Sequence, residues 1–283
     1  MSRIRVGYLN IAMPAPHSAQ RYEDLLRAVL RSRASVPLRA DFKGMLGSVH
    51  RDAGLLSGQI YKFFDLNLDE AWFNVREQKK AESEDLAKIT VPAHLKPHLR
   101  TIEYVFFPAK HRMAFMVRDG KSTLSPALAK KLFDGLFASE SIQERFGDIA
   151  VTAEPSSGRV ESILRMPNLY HLTIEITPPN PDDLAGQDEA VRRRLQGINA
   201  KSMLVEFTAP RNQNLNPDKE AKVLAKVAAS NGKVVGLGRD AQGNHTQLST
   251  VESALVDEEY VDEGVETRQA ALINIARQTV AGF

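Results

Sequence analysis

Hydrophobic and polar residues recur along this chain with two different periods, which predict both strands and helices. A period of two is clearest in residues 170–177, where Leu172, Ile174 and Ile176 alternate with polar side chains. This alternation predicts a strand with one buried face. A helical period follows Ser125-Pro126, a pair typical of a helix start, and continues through apolar residues as far as Phe137. The chain therefore belongs to the α+β class.

The same reasoning places an element in most parts of the chain. Strands are predicted at residues 4–11, 58–66, 71–75, 101–107, 112–118, 148–154, 160–164, 170–177, 201–209, 233–237 and 246–251. Helices are predicted after Ser18, after Ser125, before Gly147, at 182–199, between Asn216 and Asn231, and at the C-terminus. Residues 32–52 are basic and predict a long loop or a partly ordered excursion, while residues 77–88 predict a solvated helix or linker.

Chain length favours two domains. At 283 residues and 43% hydrophobic composition, the chain lies near the size at which one core divides into two. Pro92 and Pro97 interrupt the pattern in the first half. We predict an N-terminal α+β domain with a basic loop at 1–98 and a C-terminal α+β domain at 99–283. Their sheets should be mixed or antiparallel, with helices packed on one face.

Composition excludes several kinds of chemistry. The chain has no cysteine, so disulfides, thiolate nucleophiles and cysteine-based metal sites are excluded. The first residues lack the apolar core of a signal peptide, and no apolar run approaches the roughly 20 residues that span a bilayer. We expect a cytoplasmic protein with no membrane partner, and we predict neither a metal site nor a cofactor.

Two short motifs resemble ligand sites but lack the required context. Gly236, Gly238 and Gly243 do not have the spacing of a dinucleotide loop, and a strand follows them, so we predict a hairpin turn. His94 and His98 have the spacing that places two side chains on one helical face. The prolines around this pair disfavour such a helix.

An enzymatic alternative rests on Asp218 and Glu220, with Lys222 close by, because two carboxylates and a lysine resemble the residues of a metal-dependent nuclease. Such groups normally converge from different strands. Here they fall within one turn after Pro217, where Asn216 is the expected helix cap and the acids complement the helix dipole. We therefore favour the interpretation that these residues form the start of a helix, and nuclease chemistry stays the alternative.

Charge is distributed unevenly. Residues 1–150 carry 23 Lys and Arg against 17 Asp and Glu, while residues 151–283 carry 14 against 18. Clustered cations give a sequence-independent, salt-sensitive affinity for phosphates. The predicted nucleic-acid contacts are the members of these clusters: Arg27, Arg31, Arg33, Arg39, Lys43, Lys110, Arg112, Lys130, Lys131, Arg192, Arg193 and Arg194.

The segment 252–266 is acidic, with seven Asp and Glu and no base. Such a segment could bind a basic partner or mimic nucleic acid. This gives a third hypothesis, in which the protein is a structural subunit of a larger complex.

The middle and end of the chain resemble a known group of proteins. The segments are 148–155, 169–182 and 203–208, namely DIAVTAEP, LYHLTIEITPPNPD and MLVEFT. In this order they resemble an uncharacterised prokaryotic family that is distantly similar to the DNA-binding phage-exclusion protein of lambdoid prophages and to the DNA-sensing subunit of the Kiwa defence system. The likeness spans residues 100–262.

The resemblance implies a cytoplasmic antiphage protein that forms a homodimer, senses nucleic acid and passes the signal to a second defence protein. It supplies no catalytic residues. The leading hypothesis is therefore a defence protein that binds or senses nucleic acid, DNA in preference to RNA, without catalysis.

Overall fold

The computed structural model describes residues 2–16, 18–66, 70–87, 89–119, 122–180, 187–240, 242–262 and 264–283. The strands are β1 Ser2–Ala12, β2 Val36–Arg39, β3 Phe42–Leu46, β4 His50–Asp52, β5 Leu55–Phe64, β6 Phe73–Asn74, β7 Lys79–Lys80, β8 Arg100–Phe107, β9 Arg112–Met116, β10 Arg118–Asp119, β11 Ser122–Thr123, β12 Ala150–Ala153, β13 His171–Ile176, β14 Met203–Thr208, β15 Gly232–Arg239, β16 His245–Ser249 and β17 Val256–Val261. The helices are α1 Ala19–Ser32, α2 Ser83–Leu86, α3 Pro126–Phe137, α4 Glu140–Phe146, α5 Arg159–Leu164, α6 Gln187–Gly197, α7 Lys219–Ser230 and α8 Arg268–Val280. The α+β class is confirmed.

Nine strands form the larger sheet. Seven of them run in the order β12-β1-β9-β8-β5-β3-β2, with β17 paired to β1 and β4 paired to β5, and every pairing is antiparallel. The terminal strands β2 and β12 both contact α3, so the sheet curls around this helix. Ser125 caps α3 by accepting a hydrogen bond from the Leu128 amide, as its sequence predicts.

The larger sheet is covered on both faces. On one face, the ring of Tyr22 in α1 lies 5.2 Å from the ring of Phe106 in β8 in a tilted arrangement, and Leu132 of α3 lies over Gly44 of β3. On the other face, Tyr8 of β1 meets Phe283, which follows α8. Aromatic and aliphatic side chains fill both layers, and burial of this apolar area drives the packing.

Four strands form a second antiparallel sheet in the order β14-β13-β15-β16. Its apolar face carries Leu172, Ile174 and Ile176, the residues whose alternation predicts this strand, and all three are fully buried. Helices α5 and α7 pack against this sheet, and α6 contacts α7. Residues 160–234 thus hold a second, smaller hydrophobic core.

The predicted division between residues 98 and 99 falls inside the larger sheet. Strands β5 and β8 lie on either side of it and pair from Leu56 with Phe106 to Lys62 with Arg100. The first core draws on residues 4–153 and again on 261–280, whereas the second lies between these segments. The second core is therefore inserted between β12 and β17, because β17 and α8 return to the larger sheet.

Three local predictions are wrong. Residues 32–52 form strands β2, β3 and β4 rather than a loop, because Gly44 allows Leu38 and Leu132 to pack directly on the backbone of β3. Residues 160–164 are helical. A left-handed Gly158 precedes α5, and Val160 and Ile163 share its buried side.

The third is the cap of α7. Asp218, and not Asn216, accepts the hydrogen bond from the Ala221 amide at 2.8 Å.

Candidate nucleic-acid interface

The arginine run of α6 is partly neutralised by its own helix. Arg192 and Arg193 both donate to the carboxylate of Glu189, at 2.9 Å and 2.5 Å. These hydrogen bonds from Arg193 and Arg192 hold the pKa of Glu189 below its usual range. Arg194 is exposed. The densest basic run of the sequence thus presents one arginine outside this pairing.

The basic residues of α1 are also divided. Arg27 donates to Glu23 at 2.8 Å, and Arg51 of β4 reaches the second oxygen of the same carboxylate at 2.8 Å. Arg31 and Arg33 are exposed at the end of the helix, where Arg33 adopts the left-handed cap conformation. Of the contacts predicted on α1, Arg31 and Arg33 are therefore the two outside the pairing with Glu23.

Arg112 is buried, and this overturns its assignment to the nucleic-acid interface. Arg112 is 5% exposed; its guanidinium forms an ion pair with the Glu154 carboxylate at 2.7 Å and donates a hydrogen bond to the Asn10 side-chain oxygen at 2.6 Å. Asn10 in turn donates to the carbonyl of Ser230, and Ser230 donates to Glu154. Arg112 therefore holds the two cores together and is shielded from a phosphate backbone.

Lys110, two residues earlier in the chain, is exposed and donates to the carbonyl of Phe283. Lys43 pairs with Asp65, which also binds Lys96, and these two lysines lower the pKa of Asp65. Lys130 pairs with Asp134 on the same helix. Surface pairs such as these are weak, yet they reduce the net charge that a ligand meets.

One group of cations is gathered by strand register. Lys62 of β5 lies directly opposite Arg100 of β8, and both occupy the sheet end where β2 contributes Arg39. We call these three residues the sheet-end patch. On the neighbouring helix α3, Lys131 donates to the carbonyl of Leu38, the residue before Arg39.

The patch residues repel one another. Partial burial, and then the charges of Arg100 and Arg39, hold the pKa of Lys62 below its ordinary value. Like charges opposite each other in a sheet are destabilising. In the part of the chain that the structure describes, none of the three patch residues forms an ion pair with a carboxylate. Their positive charge is therefore available to an external anion.

Aromatic rings border the patch. The ammonium of Lys62 lies 5.0 Å from the centre of the Phe42 ring, and Phe42 contacts Phe64 edge-on at 5.5 Å. His98 stands edge-on to Phe64 at 6.1 Å and is exposed. Cations beside rings are the combination that binds phosphates and stacks bases in single-strand binding proteins.

The structure thus brings together two of the twelve predicted residues, Arg39 and Lys131, and leaves the others on separate surfaces or in the interior. Sequence reasoning missed Lys62 and Arg100 because each stands alone in the sequence. The signal that could have found them is pairing register, because Lys62 lies in the predicted strand 58–66 and Arg100 directly precedes the predicted strand 101–107, and the two strands pair.

The alternative sites gain no support from geometry. The Asp218 carboxylate caps α7, and no group of three His, Asp or Glu side chains suited to a metal occurs among the described residues. The start of the helix predicted at 182–199, including Asp182 and Asp183, lies outside the described residues.

The acidic segment lies partly within the larger sheet. In β17, Glu258 pairs with Arg3 and Arg5, and Asp257 accepts from the hydroxyl of Tyr8. Glu263 lies outside the described residues. Part of the segment's charge is therefore already matched within the chain.

A cleft of about 820 Å³ separates the two cores. Its charged residues include two ion pairs, Lys130 with Asp134 and Asp148 with Lys201. Burial raises the pKa of Asp134, although the bond from Lys130 opposes this shift.

The helices in the described segments are too short or too polar to cross a membrane. A search of curated proteins gives no match to this chain. The model of a family described as a domain of unknown function matches residues 2–277, so the chain belongs to the DUF4747 family.

Proposed function

We propose that the protein binds nucleic acid through its sheet-end patch and does not act on it chemically. The observation that carries this proposal is the direct pairing of Lys62 with Arg100, with Arg39 close enough to affect the same lysine. A phosphate backbone would relieve the repulsion among the three cations and would release counterions on binding.

The aromatic neighbours support a single-stranded or locally opened ligand. Bases can stack on exposed rings, and His98 offers such a ring beside Phe64. Sequence readout of duplex DNA normally uses a helix or ribbon in the major groove. The patch lies at the ends of sheet strands, which favours backbone contact over base-specific readout.

The biological setting rests on the resemblance to phage-exclusion and Kiwa proteins. It supports a cytoplasmic role in antiphage defence, in which binding of DNA is passed to a second defence protein. Counting plaques on cells that express the wild type or a patch variant tests this role. We expect protection to be lost with the patch variant, and equal protection by both would contradict it.

Binding itself is tested with labelled single-stranded and duplex DNA and RNA, by fluorescence anisotropy over a series of salt concentrations. The patch variant is Arg39→Gln with Arg100→Gln. The matched control is Arg192→Gln with Arg193→Gln, which removes the same number of positive charges from the two arginines of α6 that pair with Glu189. We expect the patch variant to lose affinity for every sequence and the control to keep it.

Each phosphate contact removed should reduce the slope of log affinity against log salt by about one. Equal losses from the two double variants, or no binding by the wild type at low salt, would overturn the proposal. The same nucleic acids incubated with Mg²⁺ should stay intact. Degradation that Asp218→Ala abolishes would establish the nuclease alternative instead.

A further inference from the structure

Strand β14 is an unprotected edge of the smaller sheet. Among the residues that the structure describes, it pairs with β13 alone, in unbroken register from Met203 to Thr208. The amide of Ala209 donates to Tyr170, so the alternate residues 203, 205 and 207 direct their backbone groups towards β13. The N–H and C=O groups of Leu204, Glu206 and Thr208 therefore point away from the sheet.

The strand also exposes apolar side chains that another protein surface could cover. Leu204 is 60% exposed and Phe207 is 38% exposed. Soluble proteins usually protect an edge strand with lysine, proline or a bulge, because its free backbone groups can pair with another strand. Within Met203–Thr208, β14 has none of these devices.

We propose that β14 of a second copy of this chain pairs with β14 in antiparallel orientation, about a twofold axis at Val205. This joins the two smaller sheets into one sheet of eight strands. The partner is a second copy because the strand is self-complementary in one register.

Two registers satisfy the geometry and also pair five of the six residues of β14, whereas an axis at Leu204 or Phe207 would pair only three. Two residues that lie opposite each other in an antiparallel pair have their side chains on the same face of the sheet. The twofold axis must therefore lie where one residue faces its own copy, and not midway between two successive residues. An axis at Glu206 would place two carboxylates directly opposite each other, which is destabilising. An axis at Val205 places Val205 against its own copy and sets Glu206 against the partner subunit's Leu204.

The favoured register also extends the apolar face. Met203 then lies opposite Phe207 of the partner subunit, in line with the Val205 pair. Beside Phe207 is an apolar groove of about 160 Å³, lined by Leu172, Leu215 and Ala221. The partner's Met203 can pack there, and a flexible thioether side chain suits an irregular groove of this kind.

The absence of cysteine from the sequence permits a direct test of the register. In Val205→Cys, the two introduced thiols lie opposite each other across the axis, at a distance that an antiparallel pair and a disulfide share. We expect this variant to form a covalent dimer under mild oxidation. Glu206→Cys serves as the register control and should cross-link far less, because its copies are offset by two positions.

Backbone pairing is tested with Glu206→Pro, which removes an outward N–H that the monomer does not use. Proline is tolerated at such edge positions. Gln247→Pro is the matched control. The amide of Thr250 donates to Val234, so even-numbered residues of β16 face β15 and the N–H of Gln247 points outward from the opposite edge. Glu206→Ala controls for loss of the side chain.

Sedimentation over a dilution series, with circular dichroism to check folding, should show dimers for the wild type, Gln247→Pro and Glu206→Ala, and monomers for Glu206→Pro. A wild type that is monomeric throughout, or a Glu206→Pro variant as dimeric as the wild type, would overturn the proposal. So would equal cross-linking of the two cysteine variants. Because these measurements contain no nucleic acid, their failure is independent of the sheet-end patch.

Discussion

The arginine run of α6 and the sheet-end patch each present three cations, but the structure treats them differently. In α6 the arginines are consecutive, and a glutamate one turn earlier binds two of them. In the patch the cations come from β2, β5 and β8, and register brings them together without a carboxylate. A dense basic run in a helix can be partly neutralised by acidic neighbours three and four residues away. Cations that are distant in sequence can accumulate where strands meet.

Arg112 adds a third kind of cation to this comparison, because it is both paired with a carboxylate and buried. We expect Arg112→Met to lower the free energy of unfolding by about 3–5 kcal/mol, because the Glu154 carboxylate would remain buried without its partner. Chemical denaturation measures this loss. Arg194→Met, at an exposed position, is the control and should change stability by no more than about 0.5 kcal/mol.

If Arg112→Met were as stable as the wild type but bound nucleic acid poorly, Arg112 would be a ligand contact after all. The comparison would then fail, because a paired and buried cation would act like the cations of the patch.

A smaller effect concerns the neutralisation of α6. If pairing with Glu189 prevents the arginines of α6 from binding nucleic acid, then removing this carboxylate should restore part of the salt-sensitive binding. The variant that tests this adds Glu189→Gln to the double variant Arg39→Gln and Arg100→Gln. The released Arg192 and Arg193 would add about one or two to the salt slope. Anisotropy titrations measure this gain.

Glu220→Gln in the same background is the matched control, because it removes an equal charge from another exposed helix position. Equal slopes for the two glutamate variants would show that Glu189 does not suppress the arginine run.

Much of the fold follows from the sequence alone. Local patterns predict the strands β8 and β9, the start of α3 at Ser125 and the alternation in β13, and the structure confirms all of them. These features depend on periodicity and capping, which act over a few residues. The predicted strand at 160–164 failed because a short apolar run fits either a strand or a buried helix.

The site could not be predicted in the same way. Whether a cation is available depends on its spatial neighbours, such as Glu154 for Arg112 and Asp65 for Lys43, which are distant in sequence. The division between the two cores could not be predicted from the sequence for a related reason. β17 and α8 return to the first sheet after an inserted core, and no local signal marks that return.

The smallest expected effect is a substitution in the patch that changes nucleic-acid binding and stability in opposite directions. We expect Lys62→Met to weaken nucleic-acid binding and yet to raise the free energy of unfolding by about 0.5 kcal/mol, because it removes a cation placed opposite Arg100. In the folded state the pKa of Lys62 lies below its ordinary value. Between these two pKa values the unfolded chain binds the proton more tightly, so wild-type stability rises with pH through this window.

The free energy of unfolding of Lys62→Met should therefore exceed that of the wild type at neutral pH, and this difference should shrink as the pH rises through that window. Denaturation at several pH values measures it, with Lys222→Met, on the exposed side of α7, as the control. A variant that is less stable than the wild type at neutral pH would mean that the contacts of Lys62 with the Phe42 ring and the Thr123 carbonyl outweigh the repulsion. The lysine would then be a structural residue like Arg112, and the patch would lose the strain that distinguishes it from α6.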